Sequence, residues 1–158
     1  MKSNAFRAFS AVLLAAAFGM LQAQAKPNFS GSWKLNAGKS NFGAMPAPDS
    51  RSDTITHADP DLTDSFAQKG QNGEVTADLK YSTDGKETIN SVHGNQIKCT
   101  AQWEGEELVI DGKTAFNGAD VTLKDRWSLS GDGKTLTIQR HVNSPMGETD
   151  QKIVLEKQ

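Results

Sequence analysis

Residues 120–142 read DVTLKDRWSLSGDGKTLTIQRHV, and the alternation within them decides the fold. Val121, Leu123, Asp125, Trp127 and Leu129 fall on one side of an extended chain, with Thr122, Lys124, Arg126 and Ser128 on the other. After Asp132-Gly133 the pattern resumes with Leu136, Ile138, Arg140 and Val142. A period of two marks a half-buried strand, and Asp-Gly supplies the positive φ of a tight hairpin. Folded at that turn, the stretch sets Leu129 against Leu136, Trp127 against Ile138 and Asp125 against Arg140. A slip of one residue would turn one strand's apolar side to water, so the pattern selects this register.

The same period extends outward in both directions. Val75, Ala77, Leu79 and Tyr81 alternate over residues 74–81, and Ile97, Cys99, Ala101 and Trp103 over residues 96–103. A turn at Gly105 pairs Trp103 with Leu108 and Ala101 with Ile110. Weaker strands are expected at 29–35, 51–58, 62–69, 87–93, 107–110, 113–116 and 151–157. Turn signals stand at Asn72-Gly73, Asp84-Gly85, Gly94-Asn95, Asp111-Gly112 and Asn117-Gly118. At Gly94-Asn95 a two-residue turn pairs Val92 with Ile97 and reverses the parity set by Ile89, so a bulge is expected there. No stretch beyond residue 26 has a helical period. The expected fold is all-β: a single antiparallel up-and-down β-barrel of about 8–10 strands. Residues 36–50, with Pro46 and Pro48, form its one long irregular connection, either a lid or a crossing at one end.

Composition fits a sheet wrapped round a thin interior. Beyond residue 25, Leu, Ile, Val and Phe are only 24 of 133 residues, below the usual share for a globular domain. A barrel strand needs apolar residues only at every second position. Residues 1–25 have the layout of a secretory signal peptide: Lys2 and Arg7, an apolar run from Ala11 to Leu21, then Ala23-Gln24-Ala25. The expectation is an exported, periplasmic or secreted protein whose residues 26–158 form one domain, with no membrane span after cleavage. The 15 basic and 19 acidic residues of that domain give a net charge of −4, no electrostatic ground for a nucleic-acid partner. Cys99 is the only cysteine and reads as a small buried apolar residue.

Phe29-Ser30-Gly31-Ser32-Trp33 places a Gly-x-Trp on the first expected strand. In this context the chain resembles the lipocalin and wider calycin families. Its continuation through Lys34-Leu35-Asn36, Lys39-Ser40 and Phe42-Gly43 is similar to a group of exported bacterial lipocalin-like proteins. The resemblance implies that Gly31 and Trp33 close one end of the barrel, with Arg140 or Arg126 packed over the indole. A second lipocalin motif, a disulfide pair and a C-terminal helix are not found in the sequence.

The candidate cavity lining is Phe66, Tyr81, Trp103, Trp127, Arg140, Asp125 and His93. The aromatics either fill the interior or line a site for an apolar ligand. Asp64, His57, His93, Asp125 and Arg140 share the inward parity, so the interior is wet or they pair. Asp125 and Arg140 form a cross-strand ion pair, or Arg140 binds a carboxylate. His57, His93 and His141 lack the short spacings of a metal site, and alternation turns His141 outward, away from a role as a haem ligand. There is no Gly-x-Ser-x-Gly elbow and no phosphate loop around Gly133-Lys134-Thr135. The expected function is that of an exported binding protein, monomeric, without catalytic residues, metal or cofactor, holding a small apolar or amphipathic molecule inside the barrel. The alternative is a ligand-free envelope protein that acts through protein–protein contacts on its outer surface.

Overall fold

Ten strands form where the period-two segments stand. They are β1 (Gly31–Leu35), β2 (Ser50–Ala58), β3 (Asp61–Gly70), β4 (Gly73–Ser82) and β5 (Thr88–Val92), then β6 (Asn95–Glu104), β7 (Glu107–Phe116), β8 (Ala119–Leu129), β9 (Thr135–Ser144) and β10 (Gly147–Lys157). The structure, a computed structural model, describes residues 25–158, so the signal-peptide reading of residues 1–25 lies outside it except at Ala25. Sequential strands other than β4 and β5 pair antiparallel, and β1 also pairs with β10, which bends the sheet round into an up-and-down barrel. Among the described residues no helix is long and apolar enough to cross a membrane.

The hairpin registers follow the hydrophobic pattern. Leu129 faces Leu136, Trp127 faces Ile138 and Asp125 faces Arg140. Trp103 faces Leu108 and Ala101 faces Ile110. Two turns differ from expectation. Asp111-Gly112 lies inside the continuous β7 rather than between two short strands. A Cβ on Gly112 would stand 2.8 Å from Cγ of Leu123, so this glycine admits a neighbouring side chain. The β5–β6 turn is His93-Gly94, with φ of 50° and 77°, and Val92 pairs with Asn95. No bulge is needed, because Ile89 points outward, 60% exposed, and Asn90 points inward.

The barrel is nearly closed. Between β4 and β5 the only pairing is made by a side chain: Asn90 Oδ1 accepts the Lys80 N–H at 2.7 Å, and its Nδ2 donates to the Lys80 carbonyl at 3.0 Å. The amide does the work of one absent ladder residue.

Up-and-down topology puts alternate turns at opposite ends. One end carries the turns at 59–60, 105–106 and 130–134, and the chain enters beneath it through residues 26–30. Here the core is dense. Phe29 is fully buried, stacked on His57 and Trp103 and edge-on to Trp127. Its backbone is held on both sides: the N–H donates to His57 Nδ1 at 3.2 Å, and the carbonyl accepts Trp33 Nε1–H at 2.9 Å. Since Nδ1 accepts, the ring proton sits on Nε2 and donates to Asp59 at 2.8 Å. Trp33, 1% exposed, does lie in this closed end. Its cationic cover is neither Arg140 nor Arg126 but Lys157, whose Nζ stands 5.3 Å from the ring centre. Arg140 points inside to Asp125, and Arg126 pairs outside with Glu104 and Glu107. Gly31 makes room for that cover: at φ 144°, a Cβ there would meet Lys157 Cε at 2.6 Å.

Residues 36–49 run beside β10. The segment makes a short 3-10 turn at Ala37–Lys39, then Asn41 pairs with Lys152 and extends the β10 edge. Its Phe42 packs against the core.

Candidate functional site

Alternation sends Arg51, Asp53, Ile55 and His57 of β2 inward, together with Leu62 and Asp64 of β3. From the opposite wall come Asp125 and Trp127 of β8 and Arg140 of β9. Between the walls is a cavity of about 280 Å³, reaching from Trp127 toward the open end. Its apolar lining includes Phe66, Val75, Leu79, Tyr81, Val92, Ile97, Leu123 and Trp127. Its polar lining includes Arg51, Asp64, Gln68, Asn90 and Arg140. About nine waters, at ~30 Å³ each, would fill that volume, so the interior is neither a solid core nor a large sac.

Two arginines enter this space already committed. Arg140 holds Asp125 in a bidentate fork, Nε to Oδ1 at 2.7 Å and Nη2 to Oδ2 at 2.6 Å. Arg51 holds Asp53 likewise, at 2.8 and 2.6 Å, while its guanidinium lies 5.2 Å over the Phe66 ring. Fork-to-carboxylate pairing is the strongest arrangement such groups have, and it offsets their desolvation. Burial works against both guanidinium charges, but the facing aspartates outweigh it and both pKa values rise. Burial, then the Asp125 charge, pushes the Tyr81 hydroxyl well above its usual range.

Asp64 has no such partner. It is 1% exposed, and neither carboxyl oxygen receives a hydrogen bond. Burial, reinforced by the Asp53 charge and opposed by Arg51 and Arg140, lifts its pKa from 3.8 to about 7. A second orphan shares the space: the buried indole N–H of Trp127 has no acceptor. Buried polar groups left unpaired are rare and costly, and here two belong to residues on the wall of one cavity.

The expected site residues separate in three dimensions. Phe66, Tyr81, Trp127 and Arg140 line the cavity, and Asp125 stands behind Arg140 as its counter-ion. His93 reaches the rim only: it is a turn residue with φ 50°, exposed, rather than an inward strand residue. Trp103 does not line the cavity. It packs under the closed end, stacked on Phe29 and capped by Lys26 at 5.6 Å. His141 sits on the outer face, 2.7 Å from Asp150. Sequence reading missed Arg51 and Asp53, although the run Arg51, Asp53, Ile55, His57 has the required period. It also missed Asn90, whose role exists only where two strands fail to pair. Among the described residues no group of His, Cys, Asp or Glu is placed to hold a metal ion.

No family model and no curated protein matches the chain. Solved structures do. A secretory abundant heat soluble protein of Ramazzottius varieornatus superposes with a TM-score of 0.63 at 15% identity, covering 82% of this chain and 94% of that one. Zebrafish ileal bile acid-binding protein in complex with cholic acid gives 0.58 at 19% identity, covering 82% and 98%. Secretory abundant heat soluble protein 4 of R. varieornatus gives 0.56 at 14% identity, covering 86% and 99%. At these identities the likeness is one of architecture alone, a ten-stranded and nearly closed antiparallel barrel.

Proposed function

We propose that the chain is a binding protein that holds one small amphipathic molecule inside the barrel. The observation that carries this is the cavity itself: an apolar sleeve of Phe66, Val75, Leu79, Ile97 and Leu123 leading to unsatisfied polar groups on Asp64 and Trp127. Binding sites of this kind combine apolar walls with a few placed polar groups. That the zebrafish bile acid-binding protein, of similar fold, is complexed with cholic acid supports the reading. The small volume points to a compact or slender ligand. Export is proposed with it, on the layout of residues 1–25 alone.

A wider furrow, about 500 Å³, lies on the outer face among Lys124, Arg126, His141 and Lys152. It is open to water, and Lys124, Arg126 and His141 already pair with Asp111, Glu104 and Glu107, and Asp150. Exposed pairs of this sort contribute little, so the interior carries the stronger case.

The test is native mass spectrometry of the protein purified from its own host, beside Leu79→Trp, which fills the sleeve. A small organic molecule is expected on the wild type and absent from the variant. A ligand-free wild type whose melting is also unmoved by eight-carbon amphiphiles would remove the binding function.

A further inference from the structure

The charges inside the barrel specify the head group of the ligand, an inference that rests on the reading that the cavity holds one. Arg51 and Arg140 are each neutralised by a bidentate aspartate. In each pair the aspartate takes the Nε–Nη2 edge of the guanidinium and balances its charge. Asp64 remains, facing the same space with both oxygens unpartnered. With Asp64 ionised, two guanidinium and three carboxylate groups leave the interior one negative charge in excess. A buried excess charge is costly until an opposite charge neutralises it. An anionic ligand would raise that excess, and a neutral one would leave it.

We propose that the ligand is a cationic amphiphile, an apolar body bearing one protonated amine whose N–H groups donate to Asp64. An ammonium carries several donors and no acceptor, matching a carboxylate with two empty oxygens. Its single charge brings the interior to neutrality. The apolar body lies along the Phe66, Leu79, Ile97 and Leu123 sleeve toward the open end.

The groups facing Asp64 are Arg51 and Asp53 from β2, Asp125 from β8, Arg140 from β9 and Tyr81 from β4. Both arginines are held charged, their pKa values raised by the facing aspartates, and burial keeps Tyr81 neutral. Proton linkage therefore falls on Asp64, whose carboxyl titrates near 7. An ammonium competes with that proton, so its affinity rises with pH up to about 7 and levels off beyond. A carboxylate ligand would behave oppositely, since only protonated Asp64 could donate to it.

The experiment is isothermal titration of the full chain with octylamine, octanol and octanoate between pH 5.5 and 8.5, on wild type and Asp64→Asn. Octylamine is expected to bind at least tenfold more tightly than octanoate at pH 8 and to gain at least tenfold between pH 5.5 and 8. Asp64→Asn should erase that preference and the pH dependence. Should the variant fail to fold, the ranking and pH slope on the wild type decide alone. Octanoate binding tightest, or weakening with rising pH as the preferred ligand, would overturn the proposal. Equal binding of all three, unchanged in Asp64→Asn, would overturn it while the cavity reading stood. If none binds, both fall.

Discussion

Asp64 lies on β3 between Ile55 and Leu79 of the flanking strands, a setting that dictates an apolar residue. Its presence there is a standing cost in the unliganded barrel, and the cost depends on pH. The folded-state value near 7 lies above the ordinary 3.8, so the folded chain holds this proton more tightly than the unfolded chain. Stability from this residue is fully present below pH 3.8, declines as pH rises toward 7, and is constant above. The interval between 3.8 and about 7 corresponds to about 4 kcal/mol. Urea unfolding of wild type and Asp64→Asn across pH 4–8 isolates it, because every other carboxylate is common to both. The stability difference is expected to move in favour of the variant by about 4 kcal/mol over that range. A difference independent of pH would mean that Asp64 is solvated and its charge costs nothing.

Among the elements, the β4–β5 seam is the weak join. Elsewhere neighbouring strands share ladders, whereas here one side chain, Asn90, closes two hydrogen bonds to Lys80. Replacing Asn90 by Leu keeps the bulk and removes both bonds, leaving a half-buried peptide unpaired. The expected loss is about 1–3 kcal/mol, with the Lys80 amide exchanging its hydrogen at least tenfold faster by NMR while the β8–β9 ladder is unaffected. Unchanged protection at Lys80 would show that backbone pairing, and not the amide, joins these strands. The β8–β9 hairpin behaves differently, because apolar pairs on its inner face and the Asp125–Arg140 fork hold one register together.

Across the whole molecule the barrel is divided into a solid end and a hollow end. Phe29, Trp33, Leu108, Leu136, Ile138 and Leu155 are essentially inaccessible, whereas the other half encloses the polar cavity. This division explains how so small an aliphatic supply supports a fold: the apolar residues are concentrated at one end rather than spread through the interior. Trp33→Ala is therefore expected to cost about 3–5 kcal/mol, as large aromatic truncations in packed cores do. Val75→Ala, at the cavity wall, should cost less than about 1 kcal/mol because no dense packing is lost. Thermal melting of both variants is the measurement. Similar shifts for the two would mean that stability is spread evenly along the barrel, and Trp33 would lose its closing role.

What the residues determined alone was where most strands run and, β5 apart, how they face. Period two over 74–81, 96–103, 120–130 and 135–142 is a local property, and so is the Asp-Gly turn that aligns Asp125 with Arg140. The inward parity of Asp64 was equally legible. Glycine was where local reading failed. Asp111-Gly112 has the composition of a turn, yet Gly112 lies in mid-strand because Leu123 of the neighbouring strand needs the space. The tryptophan cover was also hidden, since Lys157 reaches Trp33 only once β10 has closed against β1. Alternation directed Asp64, Asp125 and Arg140 to one interior, and the folded barrel added Arg51 and Asp53. Which carboxylate is left without a partner is a matter of distance between strands that are far apart in the chain, and only the closed barrel sets those distances.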